Sequence, residues 1–145
     1  MTGRTIIRQL LPADVLAVDL QPCQALEAGA IDLAYGETVA AGGWAWTAER
    51  DGTIIGCGGL LELFPTQAVA WALLSSSIGS AMTAITRQAR WAMANSRWPR
   101  VEALVRADFP EALEWATVMG MRQSAYVRCW GPTATDHVLF ESIRA

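Results

Sequence analysis

Ser75-Ser-Ser-Ile-Gly-Ser-Ala81 is a run of small or hydroxyl-bearing residues, interrupted only by Ile78, between a strand-like stretch and a helix-like one. Such a run suits anion chemistry. The first N–H groups of a helix lack intrahelical acceptors and carry partial positive charge. A loop of small residues entering that helix can therefore wrap a phosphate, with hydroxyls donating and Gly79 letting the backbone turn. The plainer reading of the same residues is an N-terminal helix cap. Other chemistries find less material. Cys23, Cys57 and Cys129 are too scattered for a disulfide framework or a CxxC metal site, and with one histidine, His137, zinc and Ser-His-Asp arrangements lose their support. No metal is expected.

The composition narrows the function classes. The chain has 145 residues, 52% hydrophobic and 17% charged, with net charge −3. That predicts one domain over 1–145 with a sizeable core and excludes disorder. The longest uncharged stretch, Leu63 to Thr86, is long enough to span a membrane. Its Pro65 and Gln67 near one end, and its central serines and Gly79, argue against a span, because hydrocarbon would leave their polar groups unsatisfied. All 11 basic residues are Arg. Residues 1–86 hold three Arg and eight acids, residues 87–145 eight Arg and six acids, and Arg87 to Arg106 sets five Arg against Glu102 alone. A local basic stripe in an acidic protein fits a small anion better than a nucleic-acid face. Scattered cysteines and the absence of an apolar leader after Met1 point to a reduced, cytoplasmic location.

The elements that must position the loop follow from alternation and breakers. Thr5 to Gln9 reads as a strand, and Leu11-Pro12-Ala13-Asp14 opens a helix with proline at a tolerated early position. Residues 23 to 42 read as helical. Trp44 to Glu49 alternates, Arg50-Asp51-Gly52 turns, and Thr53 to Glu62 returns as the second arm of a hairpin. Phe64-Pro65-Thr66-Gln67 leads to a strand with Val69, Trp71 and Leu73 on one face. Met82, Ile85, Ala89 and Met93 recur at helical spacing to about Asn95, where Arg97-Trp98-Pro99 stops the helix. Val101, Ala103 and Val105 alternate. A helix then runs from about Glu111 to Met119, with Gly120 as its left-handed stop. Strands over Arg122–Trp130 and His137–Ile143 finish the chain. The order is βααββ, then β-loop-α-β-α-ββ.

In that order the chain resembles the GNAT superfamily of N-acetyltransferases. The family's pyrophosphate loop has the pattern Gln/Arg-x-x-Gly-x-Gly/Ala after the fourth strand. Ser76-Ser-Ile-Gly-Ser-Ala81 matches it except that Ser76 replaces the long polar residue. Val101 to Met121 is similar to the family's fifth strand and following helix. The resemblance implies an α+β (α/β) fold with a mixed, mostly antiparallel sheet of about seven strands flanked by about four helices. It implies acetyl-CoA as cofactor and an amine on a small molecule or protein as acceptor. The fourth and fifth strands of the family splay, and freed backbone groups of the fourth pair with the pantetheine arm. By position those groups belong to Leu73, Leu74 and Ser75, and the pyrophosphate meets amides of Ser77, Ile78, Gly79, Ser80, Ala81 and Met82, beside Ser76.

The resemblance has a gap where a proton must be supplied. The family's tyrosine acid, four residues before the helix-ending glycine, falls on Ala116, and its usual asparagine, eleven before, falls on Phe109, which is carried over as a cofactor-side residue. Trp115 beside it is turned about 100° around the helix. Tyr126 is a substitute acid, or else a half-buried strand aromatic with its hydroxyl in solvent. Glu62 and Glu49 are candidate bases, or solvated strand-end carboxylates. His137 is a base or a structural histidine, and Arg87 and Arg90 face water or the cofactor's outer phosphate. A narrower likeness joins Ala107–Met121, Trp71–Ser75 and Ile85–Arg90 to small GNAT-like proteins of tailed phages related to internal virion protein A. It implies an alternative role in which the fold is a virion-associated interaction module whose partners are other virion proteins. The surplus of seven Trp could serve such an interface or fill the core. Neither nucleic acid nor membrane is an expected partner.

Overall fold

The computed structural model describes residues 3–21, 24 and 28–144. Seven strands form one sheet: β1 (Thr5–Gln9), β2 (Gly43–Arg50), β3 (Thr53–Phe64), β4 (Gln67–Leu74), β5 (Arg100–Arg106), β6 (Arg122–Trp130) and β7 (Thr135–Ile143). Their spatial order is β1-β2-β3-β4-β5-β7-β6. Every pairing is antiparallel except β4 with β5. Among the described residues three α-helices accompany the sheet, α1 (Leu33–Ala41), α2 (Ala81–Asn95) and α3 (Pro110–Val118), which is the α+β architecture the resemblance implies, with three helices described against about four.

The breakers act where the sequence puts them. Asp51 and Gly52 both have positive φ, 53° and 78°. That is the two-residue hairpin turn whose twist matches the strands it joins, and glycine takes it without steric cost. At the end of α3 the chain reaches Gly120, φ 93°, and the N–H groups of Gly120 and Met121 return to the carbonyls of Thr117 and Ala116. The last turn of α2 is closed from far away. The Arg144 guanidinium donates to the carbonyls of Met93, Ala94 and Ser96, which supplies donors and positive charge where a helix end needs both.

Two elements differ from expectation. The residues after Pro12 form a short 3-10 turn, Pro12–Leu16, rather than an α-helix. Its Asp14 side chain is committed elsewhere, and the turn lies so close to α1 that a Cβ on Gly36 would sit 2.1 Å from the Pro12 carbonyl. In the stretch expected as helix over 23–42, Gln24 is helical, but Ala28–Ala30 form a 3-10 turn before α1, which starts where the Asp32 carboxylate accepts the Tyr35 N–H at 2.8 Å. Cys23 and residues 25–27 of that stretch lie outside the described residues.

Helices α2 and α3 cover one face of the sheet. Ile85 and Ala81 pack on Trp46, Ala48 and Leu74, and Met93 and Ala116 pack on Leu60, Val101, Ala103 and Phe140. The alternate residues Cys57 and Leu73 face Val15, Val18 and Val39 on the other side, as the two-residue period of a strand requires. Trp46 and Trp98 are buried, Trp44, Trp71 and Trp115 are half-buried against these clusters, and Trp91 and Trp130 are exposed. Five of the seven tryptophans therefore fill the interior. Each fully buried large side chain contributes about 1.5–3 kcal/mol. Among the described residues no helix is long and apolar enough to cross a membrane.

A buried polar network pins β1 to β2. The Asp14 carboxylate accepts from Arg8 at 2.7 and 3.1 Å, from the Leu11 N–H at 2.8 Å and from Thr47 Oγ1 at 2.7 Å. Burial pushes its carboxyl up, but the bonds from Arg8, Leu11 and Thr47 outweigh that and hold it below the usual carboxylate range.

Candidate functional site

β4 and β5 run together only at Gln67–Val69 against Arg100–Glu102. Beyond them β5 pairs with β7, and β4 keeps β3 alone. The second half of β4 thus has one unpaired edge. The Ser75 N–H donates to the Ile55 carbonyl of β3 at 2.9 Å, so by alternation Leu73 and Ser75 turn their backbone groups toward β3, while Ala72, Leu74 and Ser76 turn theirs into the gap. Of the three residues the resemblance assigns to this edge, Leu74 is the one whose N–H and C=O face it.

Those groups do not stand open. The Gln24 carboxamide donates to the Ala72 carbonyl at 2.6 Å and accepts the Leu74 N–H at 2.7 Å. The Leu74 carbonyl accepts the Gln21 N–H at 2.9 Å, and the Ser76 N–H donates to the Asp19 carbonyl at 2.8 Å. Ser76 Oγ donates to the Asp19 carboxylate at 3.1 Å, so the residue that replaces the family's long polar side chain is tied to an acid. Gln24, Gln21 and Asp19 were not legible as site residues. Contacts spanning about fifty positions leave no local pattern.

The loop follows directly. Ile78 and Ala81 are buried and anchor it, while Ser76, Ser77, Gly79 and Ser80 are exposed. Gly79 takes φ 50°, the left-handed region. The Ser77 N–H donates to Ser75 Oγ and the Ile78 N–H to the Ser75 carbonyl. Ala81 and Met82 donate to Ile78 and Gly79. Among the described residues the N–H groups of Gly79 and Ser80 have no hydrogen-bond partner. Arg50 reaches the loop from β2 and donates to the Ser77 carbonyl at 3.1 Å, which brings a guanidinium to the same loop. Arg87 and Arg90 are exposed.

The other candidates are held by partners outside this edge. Glu62 Oε1 accepts from Trp98 Nε1 at 2.7 Å and from Arg97 at 3.2 Å. The Trp98 bond, then Arg97, lowers its pKa, which weakens it as a base. It pairs with Ala68, six residues from Leu74 and so about 20 Å along the strand. Glu49 is held by Arg8 at 3.2 Å. Tyr126 is exposed and donates to Asp136 at 2.9 Å, a bond that, with burial and the Asp136 charge behind it, raises the phenol pKa. β6 is three strands from β4, about 14 Å across the sheet. His137 is buried, 2.8 Å from the Thr135 carbonyl and edge-on to Trp130. Phe109 caps α3 beneath the Arg106 guanidinium, 5.1 Å away.

Ala116 is buried among Phe140, Ala103 and Met121, so that position supplies no acid. Trp115 donates from Nε1 to Thr86 Oγ1 at 2.9 Å and packs with Ala72 on the cluster around Leu74 and Ile78.

This arrangement can be set against known proteins. A GNAT-family acetyltransferase from Bacillus anthracis superposes with a TM-score of 0.66 at 13% identity, covering 99% of this chain and 98% of its own. Ard1 from Thermoplasma volcanium gives 0.69 at 17% identity over 96% and 97%. An IAA acetyltransferase from Bacillus cereus gives 0.68 at 14% over 97% and 100%. The chain has the GNAT fold. At these identities the similarity is one of architecture. No protein-family model and no curated protein sequence matches the chain.

The parallel contact of β4 with β5 ends at Val69, the edge from Ala72 to Ser76 is covered by Asp19–Gln21 and the Gln24 side chain rather than by a strand of the sheet, and the small-residue loop leads into α2. Acetyl-CoA fits what the residues offer: two unpartnered amides and a guanidinium for the pyrophosphate, and a strand edge whose pairing to the Gln24 carboxamide shows that it accommodates an amide.

Proposed function

We propose that this protein is an acetyl-CoA-dependent N-acetyltransferase acting on an amine of a small molecule or protein. One observation carries the proposal: the β4 edge beyond Val69, which no strand of the sheet covers and where the Gln24 carboxamide bonds the Ala72 C=O and the Leu74 N–H, leads without a break into the loop whose Gly79 and Ser80 amides are available. The cofactor would supply the activated thioester. The chain would hold the pyrophosphate at Gly79, Ser80 and Arg50, orient the arm along Ala72–Leu74, and bring the amine to the carbonyl carbon. The amine nitrogen forms the new C–N bond as the C–S bond breaks, its surplus proton leaves to water, and the thiolate takes a proton from water.

Ala116 offers no proton to the leaving sulfur, and Glu62, Glu49 and Tyr126 are held elsewhere. Catalysis would rest on positioning and lack a general-acid contribution that is about 10²–10⁴ where present. The test is turnover across an amine library, followed by release of free thiol from acetyl-CoA. Amine-dependent release supports the reading, and release no faster than from acetyl-CoA in buffer opposes it.

A second reading makes the fold a virion-associated interaction module. It is favoured by the missing acid at Ala116 and by the β4 edge being paired to the chain's own residues. The solved structures above are acetyltransferases and lend the phage likeness no support. A stoichiometric partner recovered from virions, together with no acetyl-CoA binding, would favour it.

A further inference from the structure

We propose that Asp19, Leu20, Gln21 and the side chain of Gln24 are an intramolecular strap on the β4 edge, and that acetyl-CoA enters the groove only by displacing it. The proposal rests on the acetyl-CoA reading above. A secondary amide lying along a strand edge offers one donor and one acceptor. The Gln24 carboxamide already does this, donating to the Ala72 carbonyl and accepting the Leu74 N–H, at 2.6 and 2.7 Å.

The strap continues the occupation toward the loop. Leu20 bridges to Ser75 in antiparallel fashion, Gln21 satisfies the Leu74 carbonyl and Asp19 satisfies the Ser76 N–H. Strap and ligand therefore compete for the same backbone groups. Each satisfies them in turn, so the exchange leaves no buried amide orphaned. Asp19 adds charge to the competition. Its carboxylate, bonded to Ser76 Oγ, sets a negative charge at the first residue of the loop that would hold a pyrophosphate. Displacement removes that charge together with the hydrogen bonds. Apparent affinity is then the intrinsic affinity scaled by the fraction of molecules with the strap released.

The experiment uses the full chain, with calorimetric titration of acetyl-CoA into wild type, Gln24→Ala and Asp19→Ala, and amide hydrogen exchange at Leu74 and Ser76. Gln24→Ala should tighten acetyl-CoA binding about five- to tenfold, the effect of removing two side-chain hydrogen bonds from the closed state, and should speed exchange at Leu74. Asp19→Ala changes an exposed side chain, keeps the fold, and should also tighten binding. Unchanged or weaker binding in both variants overturns the strap. Absence of binding in all three proteins overturns the competition through its premise. In that case faster Leu74 exchange in Gln24→Ala shows that the cofactor reading failed, while unchanged exchange shows that the strap failed too.

Discussion

Trp115 of α3 donates its indole N–H to Thr86 Oγ1 of α2 at 2.9 Å, fastening the two helices over the sheet face that carries Ala72 and Leu74. Trp115→Phe keeps an aromatic ring and removes the donor, so it should cost about 1 kcal/mol and lower Tm by about 2–4 °C. Thermal unfolding followed by circular dichroism checks it, and a variant as stable as wild type would show that the bond contributes nothing.

Asp14 makes stability depend on pH. Its folded-state pKa is depressed, because the bonds from Arg8, Leu11 and Thr47 together exceed the upward push of burial. A depressed carboxyl contributes stability that is present above its unfolded value near about 3.9 and is lost as pH falls through the lower folded value. Urea midpoints should therefore drop as pH falls below about 4, and the drop should shrink in Asp14→Asn. At neutral pH that variant should be destabilised by about 2–3 kcal/mol, a value discounted because Arg8 is partly exposed. Equal pH slopes for variant and wild type would contradict the assignment.

Cysteine labelling separates interior from surface. Burial pushes the Cys57 thiol up to about 12, and Cys129 is exposed. At pH near 8 an alkylating reagent should modify Cys129 in the native protein and reach Cys57 only on unfolding. Peptide mapping after a timed quench reads the result, and native labelling of both at equal rates would refute the buried position of Cys57.

Glu62 is held by Trp98 and Arg97, and Tyr126 by Asp136. Glu62→Gln and Tyr126→Phe should each leave kcat and the pH–rate profile of any acetyl transfer unchanged. Loss of one limb of that profile in either variant would return that residue to a catalytic role.

How far the sequence carried differs between the two halves of the site. Alternation flanking Asp51-Gly52 located the hairpin, and Pro99 and Gly120 ended their helices, because turn and breaker residues act through their own φ and ψ. The loop at Ser76–Ala81 was legible for the same reason, since small residues, Gly79 and the helix start are neighbours in sequence. The strap was not. Gln24 meets Ala72 and Leu74 across about fifty residues, and nothing in the composition of either segment encodes that pairing. Within the stretch expected as helix over 23–42, Gln24 is helical, a 3-10 turn at Ala28–Ala30 interrupts, and α1 starts after Asp32, whose capping side chain is a usable signal. Tyr126 and Glu62 looked available because exposure and ion pairing are tertiary properties, and only the fold shows Asp136 and Trp98 already holding them.

The central claim is that the loop before α2 binds the pyrophosphate of acetyl-CoA, and calorimetric titration of acetyl-CoA into wild type and Gly79→Glu tests it most directly. Wild type should show saturable one-to-one binding that Gly79→Glu abolishes, since a glutamate there is strained at φ 50° and sets a carboxylate among the amides meant for an anion. No heat at millimolar acetyl-CoA, or binding that Gly79→Glu leaves intact, would contradict it.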